Sequence, residues 1–165
     1  MNLLTDSLPA IAIGMEPPEN GLLDKKPRDP NESILNKPFM LRLFGQGGLI
    51  AICTMIAFHI GLGADKDAAM ASTMAFATLT LARLFHGFNC RSELPIIKLG
   101  FRGNKASIGA FVLGVLFLAL VLFVPFLSNL FAVATLTGSQ IGMIVGLAFI
   151  PTVLIQLGKI VINHK

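Results

Sequence analysis

The sequence predicts an all-α fold, a polytopic membrane helix bundle with one partial and four full transmembrane helices. Three observations carry that prediction. The chain is 54% hydrophobic, with a mean hydropathy of +0.75 and only 13% charged residues, which is not the composition of a soluble domain. Apolar runs of about 20 residues recur, the length that crosses a hydrocarbon core of ~30 Å. The basic side chains collect in alternate connectors, as membrane orientation requires. That segregation accounts for the net charge of +4 without a nucleic-acid partner.

Residues 1–15 are apolar but reach only ~22 Å at 1.5 Å per residue, so they form a partial helix, truncated or re-entrant. No basic region precedes them, so they do not read as a signal peptide. Within them, Asn2, Thr5, Asp6 and Ser7 bring an amide, a carboxylate and two hydroxyls into an apolar setting. Helical spacing puts Asn2, Thr5 and Asp6 on one face. Pro9 has no N–H, and its ring clashes with the carbonyl of Thr5. The expectation is a broken helix whose freed carbonyl joins the other oxygens, a set suited to a hard cation such as calcium or magnesium. Inside a bilayer such a break is tolerated where the freed groups meet protein, water or an ion.

Residues 16–38 follow as a solvated loop, with prolines at 17, 18, 27, 30 and 38 and mixed charges. The first full span is expected over 39–62. Gly45, Gly47 and Gly48 near its start suggest close helix contact or local looseness, and His59, a lone histidine, reads as interfacial or packed rather than as a ligand. The second span covers 68–89. Its first half is rich in Ala, Ser and Thr, and Ala71 and Ala75, one turn apart, read as a packing face. Arg83 interrupts its apolar pattern ~9 Å inside the membrane, counting back from Asn89. The third span, 107–127, is dense in Leu, Val and Phe and reads as lipid-facing, with Pro125 as a possible kink. The last span, 141–158, contains Gly142 and Gly146, a packing face or a chance pair. Cys53 and Cys90 show no metal or disulfide spacing and read as packing residues.

Lys25, Lys26, Arg28, Lys37 and Arg42 lie in or beside the first loop. Arg91, Lys98, Arg102 and Lys105 lie in the 90–106 loop, and Lys159 and Lys165 in the tail. The opposite connectors hold Lys66 alone. By the positive-inside rule both long loops and the C-terminus are cytoplasmic.

Asn-x-x-Thr-Asp-x-x-Pro, followed by Glu16-Pro17-Pro18 and Lys26-Pro27-Arg28-Asp29-Pro30, resembles the P-type calcium ATPases at their sixth membrane helix and the loop after it. Residues 73–93, ending Phe85-His86-x-x-Asn89-Cys90-Arg91-Ser92-Glu93, resemble the eighth helix of the same pumps. The last two spans match only as apolar helices. The resemblance implies the C-terminal transmembrane region of a P-type cation-transporting ATPase, from within the sixth to the tenth helix, with calcium as the expected ion. It favours truncation of the first helix, because the family's sixth helix begins several residues before the Asn.

The resemblance implies one cation site built around Asn2 and Asp6, with Thr5 as a further ligand. The chain departs from the family at two places: Ser7 stands where Gly is usual, and Arg83 stands where two-site animal pumps carry a Glu ligand, as in some bacterial calcium pumps. A guanidinium there opposes a second ion by like charge; its alternative is to snorkel to the cytoplasm.

The family's phosphorylation motif, Asp-Lys-Thr-Gly-Thr, is absent, and so is any Gly-rich phosphate loop. This chain alone is therefore expected to be inactive as an enzyme. ATP and magnesium belong to the complete parent only, and the partners are the parent's remaining helices and cytoplasmic domains and the lipid bilayer. The expected location is a bacterial plasma membrane. The alternatives are a stand-alone structural or assembly subunit, or a P-type pump for sodium, manganese or protons. Sequence upstream of Met1 would separate the subunit from the pump.

Overall fold

Local sequence explains where the helices start. In the computed structural model, which describes residues 2–17, 35–64, 66–92, 94–96 and 104–162 with the side chains of 2–6 and 162 outside the description, three helices begin at side-chain caps. Helix α1 spans Asn2–Gly14. Helix α2, Lys37–Leu62, begins at Asn36, whose Oδ1 accepts from the Phe39 N–H at 2.9 Å. Pro38 sits in its first turn, where no donor is needed. Helix α3, Ala68–Asn89, begins at Asp67, whose carboxylate accepts from the Ala69 and Met70 N–H groups at 3.0 Å each. Helix α4, Lys105–Phe123, begins at Asn104, whose Oδ1 accepts from the Ser107 N–H at 3.0 Å.

The prolines act differently at three places. Pro125 does not kink one long span. Helix α4 stops at Phe123, Val124 is extended, and Pro125 opens the short helix α5, Pro125–Leu130, because a residue before proline is pushed out of the helical region. Helix α6, Gly138–Ile162, runs through Pro151, which is fully buried. Helix α1 likewise runs unbroken through Pro9, whose missing N–H removes one rung while the rest of the ladder holds.

Among the described residues four helices are long and apolar enough to cross a membrane, over Lys37–Leu62, Ala68–Asn89, Lys105–Phe123 and Gly138–Val161. Helix α3 is the central one and packs on α1, α2, α4 and α6. Its Met74, Ala77, Leu81 and Ala82 meet Ile50 and Ala57 of α2, Leu118 of α4 and Ile144 and Ala148 of α6 in one core. Between helices in lipid, association rests on close packing rather than on hydrophobic burial, so small residues set the contact. At Gly61 an added Cβ would lie 2.8 Å from the Ala71 Cα, so α2 and α3 touch backbone to backbone there.

The other glycine patterns make no close contact with the described residues. Cβ atoms added at Gly45, Gly47, Gly48, Gly142 or Gly146 would meet no described atom within 4 Å. The outer faces carry large exposed apolar side chains, among them Leu41, Phe44, Leu116 and Phe126. Helix α4 is lipid-like on that face only, since Ala110, Gly114, Leu118 and Val121 are buried. His59 is exposed beside Phe58, with ring centroids 6.0 Å apart. Cys53 is buried in α2, whereas Cys90 is exposed, so only Cys53 is a packing residue.

Candidate cation site

Asn2, Thr5 and Asp6 occupy the first turns of α1, and their side chains lie outside the described residues. Helix α1 itself is well placed. Ala12 is buried, and Pro9 lies beside Gly87 of α3, where an added Cβ would be 3.8 Å from the Pro9 Cβ. Pro9, Ile13, Leu84, Gly87, Phe88, Ser107 and Phe111 enclose a space of about 10 Å³ between α1, α3 and α4, no larger than one water. On the opposite face of α1, Ile11 is exposed among the described residues.

The C-terminal end of α1 is held by polar groups. Arg91, just after α3, donates through Nε to Glu16 Oε2 at 2.9 Å and through one terminal nitrogen to Glu16 Oε1 at 2.8 Å. Asn104 donates through Nδ2 to Glu16 Oε2 and to the Ala12 carbonyl, both at 2.7 Å. The Ala12 carbonyl also accepts from the Met15 N–H at 3.3 Å, so Asn104 adds a shorter second donor at the end of α1 while it caps the start of α4. The Arg91 guanidinium holds the Glu16 carboxyl below the usual carboxylate range; Asn104 adds to this, and burial opposes it.

A second polar cluster ties α6 to the end of α3. Gln156 donates through Nε2 to Asn89 Oδ1 at 2.6 Å and accepts from the Ile96 N–H at 2.9 Å. Lys159 donates to the Asn89 carbonyl at 2.6 Å and to that of Ser92, a cation at the carbonyl end of a helix.

Arg83 is exposed on α3, in a stripe with Ser72, Leu79 and Cys90. Its neighbours Ala82 and Leu84 are buried. The structure thus places Arg83 on the face of α3 turned away from the core. Among the described residues no three His, Cys, Asp or Glu side chains group as metal ligands.

Sequence patterns placed Glu16 and Arg91 in separate motifs without pairing them, and did not single out Asn104 or Gln156. Two signals were available: Gln156 is an amide inside an apolar span, and Asn104 stands three residues before Ser107 at a helix start.

These helices, packed on small residues with a short first helix docked against them, define an integral membrane helix bundle. The chain belongs to the family described as cation transporting ATPase, C-terminus, which matches residues 1–161. It is 36% identical to the calcium-transporting ATPase of Bacillus subtilis (strain 168) over 100% of this chain and 18% of that protein. It is 35% identical to the calcium-transporting ATPase lmo0841 of Listeria monocytogenes over 99% of this chain and 18% of that protein. The calcium-transporting ATPase type 2C member 2 of Mus musculus is 27% identical over 97% of this chain and 17% of its own length. The chain thus spans a fifth or less of the length of these curated relatives.

Proposed function

We propose that this chain is the C-terminal membrane region of an ATP-driven pump that moves calcium across a bacterial plasma membrane. The alignment of the whole chain with bacterial proteins named calcium-transporting ATPases carries this proposal. Asp6, Asn2 and Thr5 supply ligand oxygens. Calcium takes about six to eight oxygens in a flexible cage, and this segment offers about half, so the parent's other helices complete the site. ATP and magnesium are held by the parent's cytoplasmic domains. Arg83 takes the place of a second ion, which its guanidinium opposes by like charge. The 16–38 loop, the 90–106 loop and the tail face the cytoplasm, as their basic residues favour.

Inverted membrane vesicles carrying the complete pump test the ion. ATP should drive calcium uptake that a calcium chelator abolishes. Uptake of sodium, manganese or protons with calcium left outside would overturn the assignment.

A further inference from the structure

We propose that Glu16, Arg91 and Asn104 form a clamp that sets the height and rotation of α1 against α3 and α4, and through α1 sets the calcium affinity of the pump. The three are positioning residues, and the inference about affinity rests on the proposed calcium site.

The geometry is that of a register lock. The Arg91 side chain is 0% exposed and that of Glu16 15%, and Asn104 is 3% exposed. Glu16 is 75 residues from Arg91 and 88 from Asn104 in sequence, so no local element brings them together. Both carboxylate oxygens are engaged by the guanidinium, which fixes direction as well as distance. Asn104 reads the carboxylate and the Ala12 carbonyl at once, so it registers the helix backbone too. A slide of one turn, about 5.4 Å, would break every one of these bonds. Apolar contacts such as Pro9 on Gly87 tolerate small slides. Among the described contacts of α1, the clamp is therefore the directional one that specifies its seat. Helix α1 is continuous from Asp6 to Gly14, a rod of about 12 Å that carries a displacement at its base to the ion-bearing turns.

A buried ion pair can be replaced by apolar side chains with little loss of stability but with loss of its directional bonds. The double substitution Glu16→Met with Arg91→Met separates positioning from mere stabilisation. Two measurements on the intact pump decide. In a background where Cys53 and Cys90 are serine, cysteines replacing Pro9 and Gly87 have the Cβ separation of a disulfide and should cross-link readily. The Met pair should slow that cross-link. Without the cysteine pair, the Met variant should need at least about tenfold more calcium for half-maximal phosphorylation, since small misplacement of a ligand is costly. Its maximal phosphorylation should match that of the parent pump. Glu16→Asp should recover part of the calcium affinity. An unchanged cross-linking rate, or an unshifted calcium midpoint with a slowed cross-link, would overturn the clamp as a determinant of affinity. A parent pump whose phosphorylation ignores calcium would instead remove the calcium assignment, and the cross-link would still show whether the pair holds α1.

Discussion

Glu16 is a carboxylate between two donors, and its behaviour with pH follows from that. Its pKa is lowered in the folded protein by Arg91 and Asn104. The clamp's stability is therefore fully present above the ordinary carboxylate pKa, about 4.3, and is lost as pH falls through the lowered folded value. Comparing heat inactivation of the purified pump with its Glu16→Gln variant should give a constant difference at neutral pH that closes under acid; a gap that persists at the lowest pH would contradict the ion pair. Breaking the pair from one side is the costlier change: Arg91→Ala leaves the part-buried Glu16 carboxylate with Asn104 as its described donor and should destabilise more than Glu16→Gln. Arg83 gives the opposite case, because it is exposed here. Arg83→Glu should change the calcium stoichiometry of transport more than protein yield. A side chain that merely snorkels predicts neither stoichiometry nor pH dependence will move. Arg91 shows where sequence stops short. By charge pattern it is one more cation of a basic loop, and only the fold buries it against a residue at the far end of the chain. Asp6 drew attention in the sequence because a carboxylate in an apolar run stands out whatever it touches, and its side chain lies outside the described residues.

At the scale of elements, apolar length reveals a span but not its partners. The Ala71 face of α3 was legible as small residues at helical spacing. Its counterpart, Gly61, was not, because contact depends on how α2 lies against α3 in the fold. Gly45, Gly47 and Gly48 carried the same small-residue signal and meet no described atom within 4 Å, since the pattern cannot say what lies opposite. The two kinds of glycine should respond differently. Gly61→Val drives a side chain into the Ala71 and Met70 backbone, which should cost about 1–3 kcal/mol. Gly45→Ala has open space and should be neutral or slightly stabilising. Melting of the two variants in detergent checks this, and equal effects would contradict the α2–α3 contact. The end of α4 was also misjudged by pattern. Hydrophobicity runs on past Val124, but backbone sterics at Pro125 end the helix.

For the whole molecule, the basic side chains predict one orientation. A cysteine replacing Lys66 in the intact pump should react with an impermeant reagent added outside cells, and one replacing Lys98 should not. Equal labelling would contradict the topology. The central claim is that α1 brings the carboxylate of a calcium site. Counted from Glu16, Asp6 lies ~15 Å into the membrane, near the midplane of a ~30 Å core. A bare carboxylate there costs at least ~2.5 kcal/mol, so a proton or an ion must neutralise it. The most direct test is the calcium dependence of phosphorylation by the complete pump carrying Asp6→Asn. Calcium-dependent phosphorylation should be abolished, and merely weakened by Asn2→Ala. Phosphorylation of the Asp6→Asn pump at unchanged calcium affinity would mean that Asp6 is a protonated hydrogen-bonding group between helices and not an ion ligand.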